Sequence, residues 1–422
     1  MGGTGRHAGR SRGRLTGRRT GRRARTWAAV LVAAVAVGAL VAPPAAAHGG
    51  LLDDLRRLRD RQLTPVDLQV PGDSRATRVT ESGLVVGVTR LDGESRAFRW
   101  RDGRTEVLPT LGLGVDVVDV NRRGQVLGNA NGSDGPHVVL WEPDGTLVDL
   151  TGPPWSPNSA TRAVGLADDG LVVGMLDEPG GYHPVAWRDG VTIPLVPDRG
   201  LGDATAWGGV AAVNARGEVV GTETFPDGTV RGFVWRDGAT TYLPAPEGGT
   251  FHPTTIDDAG RVYGTVRTRV GGDRPVVWEA GTTRSVPRLI IADVNRHGVA
   301  VGWRGELEER RGARVDPRGT LTELRGLGGR SRAQAVNDLG LVVGAAGEPD
   351  GGERAVAWVL DAPVPLGENL PGLRPGDVPL RSAAVDVNRA GLAVGEIVVG
   401  TGPTPTYDYV TRAVAWQLLP RP

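Results

Sequence analysis

The stretch Ala212-Val213-Asn214-Ala215-Arg216-Gly217-Glu218-Val219-Val220-Gly221, followed by Arg231-Gly232-Phe233-Val234-Trp235-Arg236-Asp237-Gly238, shows how the chain is organised. Versions of this unit occur eight times in 422 residues. Each version has a turn glycine and a second glycine four residues later; the turn glycines are Gly83, Gly124, Gly170, Gly217, Gly260, Gly298, Gly340 and Gly391. Recurrence at about 40 to 45 residues is typical of repeat architectures.

A tryptophan ends the third segment of seven copies, and Asp316 takes its place in the sixth. The spacings between tryptophans are 41, 46, 48 and 43 residues over the first five copies, and Trp278 is 38 residues from Asp316. A large apolar side chain at a constant position predicts burial between neighbouring repeats. We predict this burial for Trp100, Trp141, Trp187, Trp235, Trp278 and Trp358, and Trp416 holds the same position in the last copy.

Each copy predicts four strands. Ala-x-x-Val-Asn forms the first strand and ends at a turn, in which Asn or Asp three residues before the glycine bonds the backbone two residues on. Thr80 and Ala167 replace this residue in two copies. Val-Val-Gly forms the second strand, and the tryptophan ends the third. An Asp-Gly hairpin then leads to the fourth strand in several copies. Four strands at this period indicate an all-β fold, a β-propeller with eight four-stranded blades.

The two ends of the repeat region predict how the ring closes. Six residues follow Trp416, too few for a fourth strand, whereas Thr64-Pro65-Val66-Asp67-Leu68 resembles the fourth strand Thr146-Leu147-Val148-Asp149-Leu150. The N-terminal strand should therefore complete the last blade and leave no exposed sheet edge. An open β-solenoid is the alternative, but it would not need this displaced strand.

The first 47 residues predict export. Nine arginines precede an apolar run of about 15 residues, which ends before Pro43-Pro44-Ala45-Ala46-Ala47. We interpret residues 1–47 as a secretory signal peptide, residues 48–64 as a short helix or linker, and residues 65–422 as the propeller. Secreted protein should begin at His48. An uncleaved membrane anchor is the alternative, and Arg22-Arg23 leaves Sec and twin-arginine export both open.

The charge of the remaining chain argues against nucleic acid as a partner. Nine of the 49 basic residues lie in the leader. The rest of the chain therefore has 40 basic and 48 acidic residues, for a net charge of about −8. Nucleic-acid-binding domains usually carry a basic surface. The chain has no cysteine, which excludes disulfides and thiolate metal sites. We expect a monomer.

The repeats resemble the extracellular HAF-repeat family, which is named for a short motif before the tryptophan. The motif stands here as Arg96-Ala97-Phe98-Arg99-Trp100 and His183-Pro184-Val185-Ala186-Trp187. The preceding Asn-x-x-Gly-x-Val-Val-Gly element is intact at Asn214 to Gly221 and at Asn337 to Gly344. The resemblance covers about residues 65–416 and implies a secreted, propeller-like protein without implying a reaction. Arginine mostly replaces the histidine of the motif.

Strand order predicts which end of the ring carries a binding site. The Asn-x-x-Gly and Asp-Gly turns lie at one end, and the more variable loops lie at the other, where binding residues are usually found. A cation stands four residues before each tryptophan, and Gly312, beside Arg311, holds this place in the sixth copy. Cations could attract an anionic ligand, or pair with acidic residues within or between blades. The predicted binding residues are Arg96, His137, His183, Arg231, Arg274, Arg354, Arg412 and three tryptophans outside the repeat position, Trp155, Trp207 and Trp303.

The sequence offers no catalytic motif. None of the five histidines after the leader is paired at a metal-ligand spacing, and there is no Gly-x-Ser-x-Gly element. We therefore expect no metal and no cofactor, and a secreted, non-enzymatic module that binds a glycan, a cell-wall polymer or a protein. The alternatives are a carbohydrate-active hydrolase or lyase with acidic residues near the central channel, and a purely structural role in the cell envelope.

Overall fold

The computed structural model describes residues 63–152, 160–178, 181–197, 208–225, 227–244, 248–268, 272–306, 309–401 and 408–420. All of them belong to one compact unit, Asp53–Pro422. The predicted signal peptide and almost all of the predicted helix or linker lie outside the described residues. Over the described ranges the secondary structure consists of strands and turns without an α-helix.

The described strands form eight antiparallel four-stranded blades, which confirms the predicted propeller. A parallel bridge between Glu353 and Arg381 joins blades 7 and 8 into one sheet. The sixth copy, despite its missing tryptophan, forms a complete blade. The strands are, in blade 1, β2 (Asp73–Val79), β3 (Val85–Leu91), β4 (Glu94–Arg101) and β5 (Arg104–Val107); in blade 2, β6 (Gly114–Val120), β7 (Val126–Asn131), β8 (Pro136–Trp141) and β9 (Leu147–Asp149); in blade 3, β10 (Arg162–Leu166), β11 (Val172–Glu178), β12 (Gly181–Arg188) and β13 (Val191–Pro194); in blade 4, β14 (Gly209–Val213), β15 (Val219–Thr224), β16 (Val230–Arg236) and β17 (Ala239–Tyr242); in blade 5, β18 (Thr250–Ile256), β19 (Val262–Thr268), β20 (Gly272–Glu279) and β21 (Thr282–Ser285); in blade 6, β22 (Ile290–Val294), β23 (Ala300–Arg304), β24 (Arg311–Val315) and β25 (Leu321–Glu323); in blade 7, β26 (Ser331–Val336), β27 (Val342–Gly347), β28 (Glu353–Val359) and β29 (Ala362–Pro365); and in blade 8, β30 (Val378–Val387), β31 (Leu392–Thr401), β32 (Asp408–Gln417) and β1 (Val66–Asp67).

The N-terminal strand completes blade 8, as the sequence predicts. In β1, Val66 pairs with Ala415 and Asp67 with Val414 of β32. The backbone N–H of Leu68 extends the pairing by donating to the carbonyl of Ala413 at 3.1 Å. Leu68 is fully buried and packs with residues of blades 1 and 8. The two ends of the propeller sequence therefore meet in one blade and close the ring.

The repeat tryptophans pack between blades. Trp141, for example, is 0 % exposed and lies in a cluster with Leu84 and Leu108 of blade 1. Its indole N–H donates to the carbonyl of Pro109 at 2.8 Å, so it is bonded as well as buried. The prediction holds for five of its six tryptophans, whereas Trp278 is only half-buried. The five buried ones are Trp100, Trp141, Trp187, Trp235 and Trp358.

Strand pairing corrects the alignment of the sixth repeat. In blades 1 and 2 the tryptophan pairs with the first valine of the second strand, and the corresponding pair in blade 6 is Ala300 with Val315. Val315, and not Asp316, therefore holds the tryptophan position. The same one-residue shift places Arg311, and not Gly312, at the cation position. The sequence spacing misses this because the turn after β24 differs in sequence from the Asp-Gly hairpins.

The turn asparagines do more than shape their own turns. The Oδ1 of Asn388 accepts a backbone N–H bond from Leu392 at 3.0 Å, as turn chemistry predicts. Its Nδ2 also donates to the carbonyl of Thr80 at 3.0 Å, which links blade 8 to blade 1. Four other asparagines make the same bond to the following blade: Asn121, Asn214, Asn295 and Asn337. This position therefore holds neighbouring blades together, which turn chemistry alone did not predict.

A β-bulge interrupts the first strand of all eight blades. In blade 2 the register with the second strand shifts between Val117 and Asp119, and the other blades shift at the equivalent place. A bulge inserts one unpaired residue and so redirects the side chains that follow it. First strands of successive blades also contact one another, so they form the inner wall of the ring. The residues after the bulge are Arg78, Asp119, Gly165, Ala212, Thr255, Asp293, Ala335 and Asp386.

Candidate functional site

The predicted cations share one place in the fold. Each lies near the start of a third strand and pairs with the residue two positions after the second-strand glycine, as Arg96 does with Thr89 and Arg354 with Ala346. Antiparallel pairing places all of them at the end of the ring opposite the Asn-x-x-Gly turns. This set comprises Arg96, His137, His183, Arg231, Arg274, Arg354 and Arg412, to which the structure adds Arg311.

Several of these cations are paired with acids of their own blade. Arg96 lies 3.4 Å from Glu94. Arg354 contacts Glu348 at 2.8 Å and also Glu368, and its hydrogen bond to Glu348 raises the pKa of the guanidinium above its ordinary value. Such pairs neutralise the charge that an anionic ligand would need. The predicted structural alternative is therefore realised at these positions.

His137 is the most enclosed of the cationic positions, at 5 % exposure. Its Nε2 lies 2.9 Å from Asp134 and its Nδ1 lies 3.0 Å from Asp149. Burial of the imidazole lowers its pKa, but the hydrogen bonds and charges of the two aspartates outweigh burial and raise the pKa above its usual value. With both ring nitrogens engaged, His137 holds the end of blade 2 together.

Arg231 is exposed but contacts an aromatic pair at the same end of blade 4. Its guanidinium lies 4.5 Å from the centre of the Phe225 ring. Phe225 in turn meets Tyr242 edge-on, with ring centres 5.4 Å apart. The sequence prediction did not include Phe225 or Tyr242. Neither occupies a constant repeat position, so only the fold brings them to Arg231.

Of the three predicted loop tryptophans, Trp303 can be placed; Trp155 and Trp207 lie outside the described residues. Trp303 is half-buried at the loop-bearing end of blade 6. The guanidinium of Arg310 lies 5.2 Å from the centre of its ring, within the range of a cation–π contact. The buried Nε of Arg310 has no hydrogen-bond partner among the described residues.

Trp303 lines an open cavity of about 360 Å³. This volume lies at the small end of the range of ligand pockets. Within the cavity Arg304 and Glu323 form an ion pair at 3.3 Å. The lining combines one aromatic ring with charged groups of both signs: Arg288, Ile290, Trp303, Arg304, Gly305, Glu306, Glu309, Arg311 and Glu323. The ring could stack on a flat apolar surface, while the charged groups could bind hydroxyls or amides.

A second cluster of charged groups lies on the axis of the ring, at the residues that follow the bulges. Arg78 of blade 1 influences the ionisation of Asp119 of blade 2, of Asp293 of blade 6 and of Asp386 of blade 8. Blades 1 and 6 are not neighbours, so these side chains interact across the axis. The sequence prediction missed the cluster, although Asp-Val-Asn stands before the turn in three copies and marks its three aspartates.

Each axial carboxylate joins two blades. The carboxylate of Asp386 accepts the backbone N–H of Val387 at 2.8 Å on one oxygen and that of Val79, in blade 1, at 2.8 Å on the other. Asp293 accepts N–H bonds in the same way within blade 6 and from blade 7, and Asp119 accepts them within blade 2 and from blade 3. Bonding of both oxygens to backbone donors gives these carboxylates a structural role.

Burial raises the pKa of all three axial carboxyl groups, because enclosure by protein disfavours the charged form. The pKa of Asp293 rises to about 6. The negative charge of Asp386 adds to the rise at Asp119 and Asp293, whereas the positive charge of Arg78 opposes the rise at all three. Asp293 should therefore change its protonation between mildly acidic and neutral pH.

Arg78→Ala should make the stability of the protein more sensitive to pH. A carboxyl group whose pKa is raised on folding stabilises the fold most below its unfolded pKa of about 3.9, and this contribution is lost as the pH rises through the folded pKa. Loss of Arg78 raises the folded pKa values further. We expect the variant to lose roughly 1 kcal/mol more in free energy of unfolding at pH 8 than at pH 5, as measured by urea denaturation.

The matched control for this experiment is Arg75→Ala. Arg75 lies in the same strand, β2, but its ion pair with Asp116, at 3.7 Å, is exposed. Exposed pairs contribute little to stability, and neither member of this pair belongs to the axial cluster. The control should lose a similar, small amount at both pH values. An equal loss at pH 5 and pH 8 for Arg78→Ala would contradict the assignment of Arg78 to the axial carboxylates.

The described residues show no metal site and no membrane-spanning helix. They contain no cluster of three or more histidine, aspartate or glutamate side chains arranged to hold a metal ion. They also contain no helix with the length and apolar character needed to cross a bilayer.

The pattern of sheets can be compared with those of known proteins. No protein-family model matches the chain, and no curated protein matches it. Among solved structures, dipeptidyl peptidase 4 from Porphyromonas gingivalis has a TM-score of 0.53 at 9% identity, with 80% of this chain and 58% of that chain covered. Prolyl oligopeptidase B from Galerina marginata, bound to a 35-residue substrate, has a TM-score of 0.50 at 11% identity, with 84% and 58% covered.

A third similar structure is a β-propeller domain. The β-propeller domain of the Trilobed protease from Pyrococcus furiosus has a TM-score of 0.43 at 10% identity, with 86% of this chain and 97% of that chain covered. This chain spans a little under three fifths of the two peptidases. At these identities the likeness concerns the fold alone, and the fold of this chain is a β-propeller.

Proposed function

We propose that this protein is a secreted, non-enzymatic binding module that holds a glycan at the loop-bearing end of its propeller. The observation that carries the proposal is the cavity at Trp303. Its aromatic ring is only half-buried, and it stands among arginine and glutamate side chains at the end predicted to bind. Aromatic rings stack on the apolar faces of sugars, and charged side chains bind sugar hydroxyls. The leader of residues 1–47 and the resemblance to extracellular HAF repeats support secretion.

The ring of cations contributes less to this proposal than the cavity does. Arg96, His137 and Arg354 are paired with acids of their own blades. A ligand at those positions would have to replace those pairs. A ligand at Trp303 would meet the part of the ring that lines the cavity, while the guanidinium of Arg310 lies 5.2 Å from the ring centre. We therefore place the main binding site in blade 6. The other cations stabilise the loop-bearing end.

A carbohydrate-active hydrolase or lyase remains the second candidate. The observation in its favour is Asp293, whose pKa of about 6 suits a general acid. The observation against it is that both oxygens of Asp293 accept backbone N–H bonds, from Val294 and Val336. A catalytic acid needs an oxygen free to meet the substrate, which favours the binding module.

The test is retention on a panel of insoluble neutral and acidic polysaccharides, with released sugars assayed in the same samples. We expect the protein to be retained on at least one polymer without product release. Trp303→Ala should weaken this binding by roughly tenfold, the value of about 1.4 kcal/mol of lost contact. The loss should appear as a higher Kd in a depletion isotherm, with an unchanged thermal unfolding temperature.

Tyr409→Ala is the matched control, because Tyr409 is an aromatic residue at the loop-bearing end of blade 8 and is 65% exposed. It should bind within about twofold of the parent protein. Equal binding by Trp303→Ala and the parent would show that the binding site does not lie in blade 6. If the parent protein releases sugars and Asp293→Asn does not, the protein is an enzyme and not a binding module.

A further inference from the structure

The contact between blades 5 and 6 is built differently from the contacts that contain a buried tryptophan. Val315 holds the tryptophan position of blade 6, paired with Ala300. In blade 2 the corresponding pair is Trp141 with Val126. Blade 6 therefore has a smaller residue on both strands.

A cavity of about 240 Å³ lies where the tryptophan would pack. Its lining includes Val315 and Ala300 of blade 6 and three buried residues of blade 5, Tyr263, Val276 and Val277. A smaller apolar cavity, of about 150 Å³, is large enough to bind benzene in an engineered protein. The volume here suits a molecule with two fused rings.

The two charged groups at this cavity already have partners within the protein. Arg284 donates to the carbonyl of Pro317 at 2.8 Å. The carboxylate of Asp316 accepts backbone N–H bonds from Arg318 and Thr320 at 2.9 and 2.8 Å. A charged ligand would have to displace these bonds. The cavity therefore favours an uncharged, mainly apolar occupant.

Three of the other blades show which single hydrogen bond such an occupant could make, whereas the indole nitrogens of Trp187 and Trp278 have no partner among the described residues. The indole N–H groups of Trp141, Trp358 and Trp416 donate to the carbonyls of Pro109, Arg325 and Gly367, each at 2.8 Å. Each acceptor directly follows the residue that extends the fourth strand of the preceding blade: Leu108, Leu324 and Leu366.

In blade 5 the residue that extends the fourth strand is Val286, whose N–H donates to the carbonyl of Pro275 at 3.0 Å. The equivalent acceptor is therefore the carbonyl of Pro287, and Pro287 lines the cavity. The walls and the acceptor that receive an indole ring elsewhere are thus both present between blades 5 and 6.

We propose that this cavity is a binding site for a small, planar, uncharged aromatic molecule of the indole class, with two fused rings and one N–H donor. The ring system occupies the place of the missing tryptophan side chain, and the N–H donates to the carbonyl of Pro287. This cavity is distinct from the proposed glycan cavity at Trp303, although Ile290 lines both. It gives the propeller a second ligand, one that fills the space between blades 5 and 6.

Indole and benzofuran are the probes, titrated by calorimetry and thermal unfolding into the protein from residue 48 onward. Indole should bind with a stoichiometry of one and raise the unfolding temperature. Benzofuran has the same shape with oxygen in place of N–H, so it should bind about threefold to tenfold more weakly, the cost of one hydrogen bond. No saturable binding of indole, or equal affinity for both probes, would overturn the proposal.

Val315→Trp places the missing side chain in the cavity. This variant should lose indole binding by at least roughly tenfold and unfold at a higher temperature than the parent. If it does not fold, Ala300→Leu fills the same space from β23 and should likewise block indole. Tyr409→Ala, on blade 8, should bind indole like the parent. Unchanged indole binding in the filled variant would place the ligand elsewhere and refute the site.

Discussion

Removal of residues 48–72 is expected to unfold the propeller or cause it to aggregate, because it removes the strand that closes the ring. The deletion takes away β1, the buried Pro65 and three buried leucine or valine side chains: Leu63, Leu68 and Val70. Burial of such side chains contributes about 1.5 to 3 kcal/mol each, so their loss alone costs on the order of 5 kcal/mol. It also leaves β32 as an exposed sheet edge, which promotes aggregation. Urea denaturation and size-exclusion chromatography would measure both effects.

The control is a deletion of residues 48–62, which leaves β1 and all three buried side chains in place. We expect this shorter deletion to change the free energy of unfolding by much less than the longer one. The hydrogen bond from Thr105 Oγ1 to the carbonyl of Leu68, at 2.6 Å, should also survive in it. If both deletions are tolerated equally, β1 does not close the ring in solution.

Trp141→Ala is expected to destabilise the protein by about 3 to 5 kcal/mol, the usual cost of removing a buried aromatic side chain. Trp141 is fully buried between blades 1 and 2, and its indole N–H is bonded to the carbonyl of Pro109. The variant leaves a cavity and an unpaired carbonyl in the same contact. The free energy of unfolding is measured by chemical denaturation. Unfolding is followed by far-UV circular dichroism and not by tryptophan fluorescence, because the mutation removes a fluorophore.

Trp278→Ala is the matched control, because Trp278 holds the same repeat position in blade 5. It is half-buried, and its indole Nε1 has no hydrogen-bond partner among the described residues. Its replacement should cost about half as much as that of Trp141, in proportion to the smaller area buried. Equal losses for the two variants would show that burial between blades does not set the contribution of this position.

The sequence was sufficient to predict the propeller because its evidence is local and repeated. Asn-x-x-Gly fixes a turn, Val-Val-Gly a buried strand, and the tryptophan a contact between blades, and each pattern occurs in several copies. Gly217, for instance, has a φ of 79°, a conformation that glycine adopts readily. The displaced fourth strand near Val66 was also recognisable, since it resembles Thr146 to Leu150. Local conformational preference and burial therefore determined blade number, strand order and closure.

Contacts between blades required the tertiary structure. Asp386 meets Val79, and Asn388 meets Thr80, across more than 300 positions of sequence. A single sequence does not show which carboxylate will face the axis, because a one-residue bulge redirects the side chains that follow it. The same limitation explains why the sequence alignment missed Val315. A shift of one residue in strand register decides whether valine or aspartate holds the tryptophan position of blade 6.

The candidate site was likewise predicted in part from the sequence and decided in part by the tertiary structure. The sequence determined which residue types stand at the loop-bearing end, and Trp303 and the cations do lie there. The tertiary structure decided which of them are available, because Arg354 meets Glu368 and His137 meets Asp149 only once the strands are paired. Composition and period are properties of the chain, whereas the pairing of charges depends on distances of a few ångströms between segments that only folding brings together.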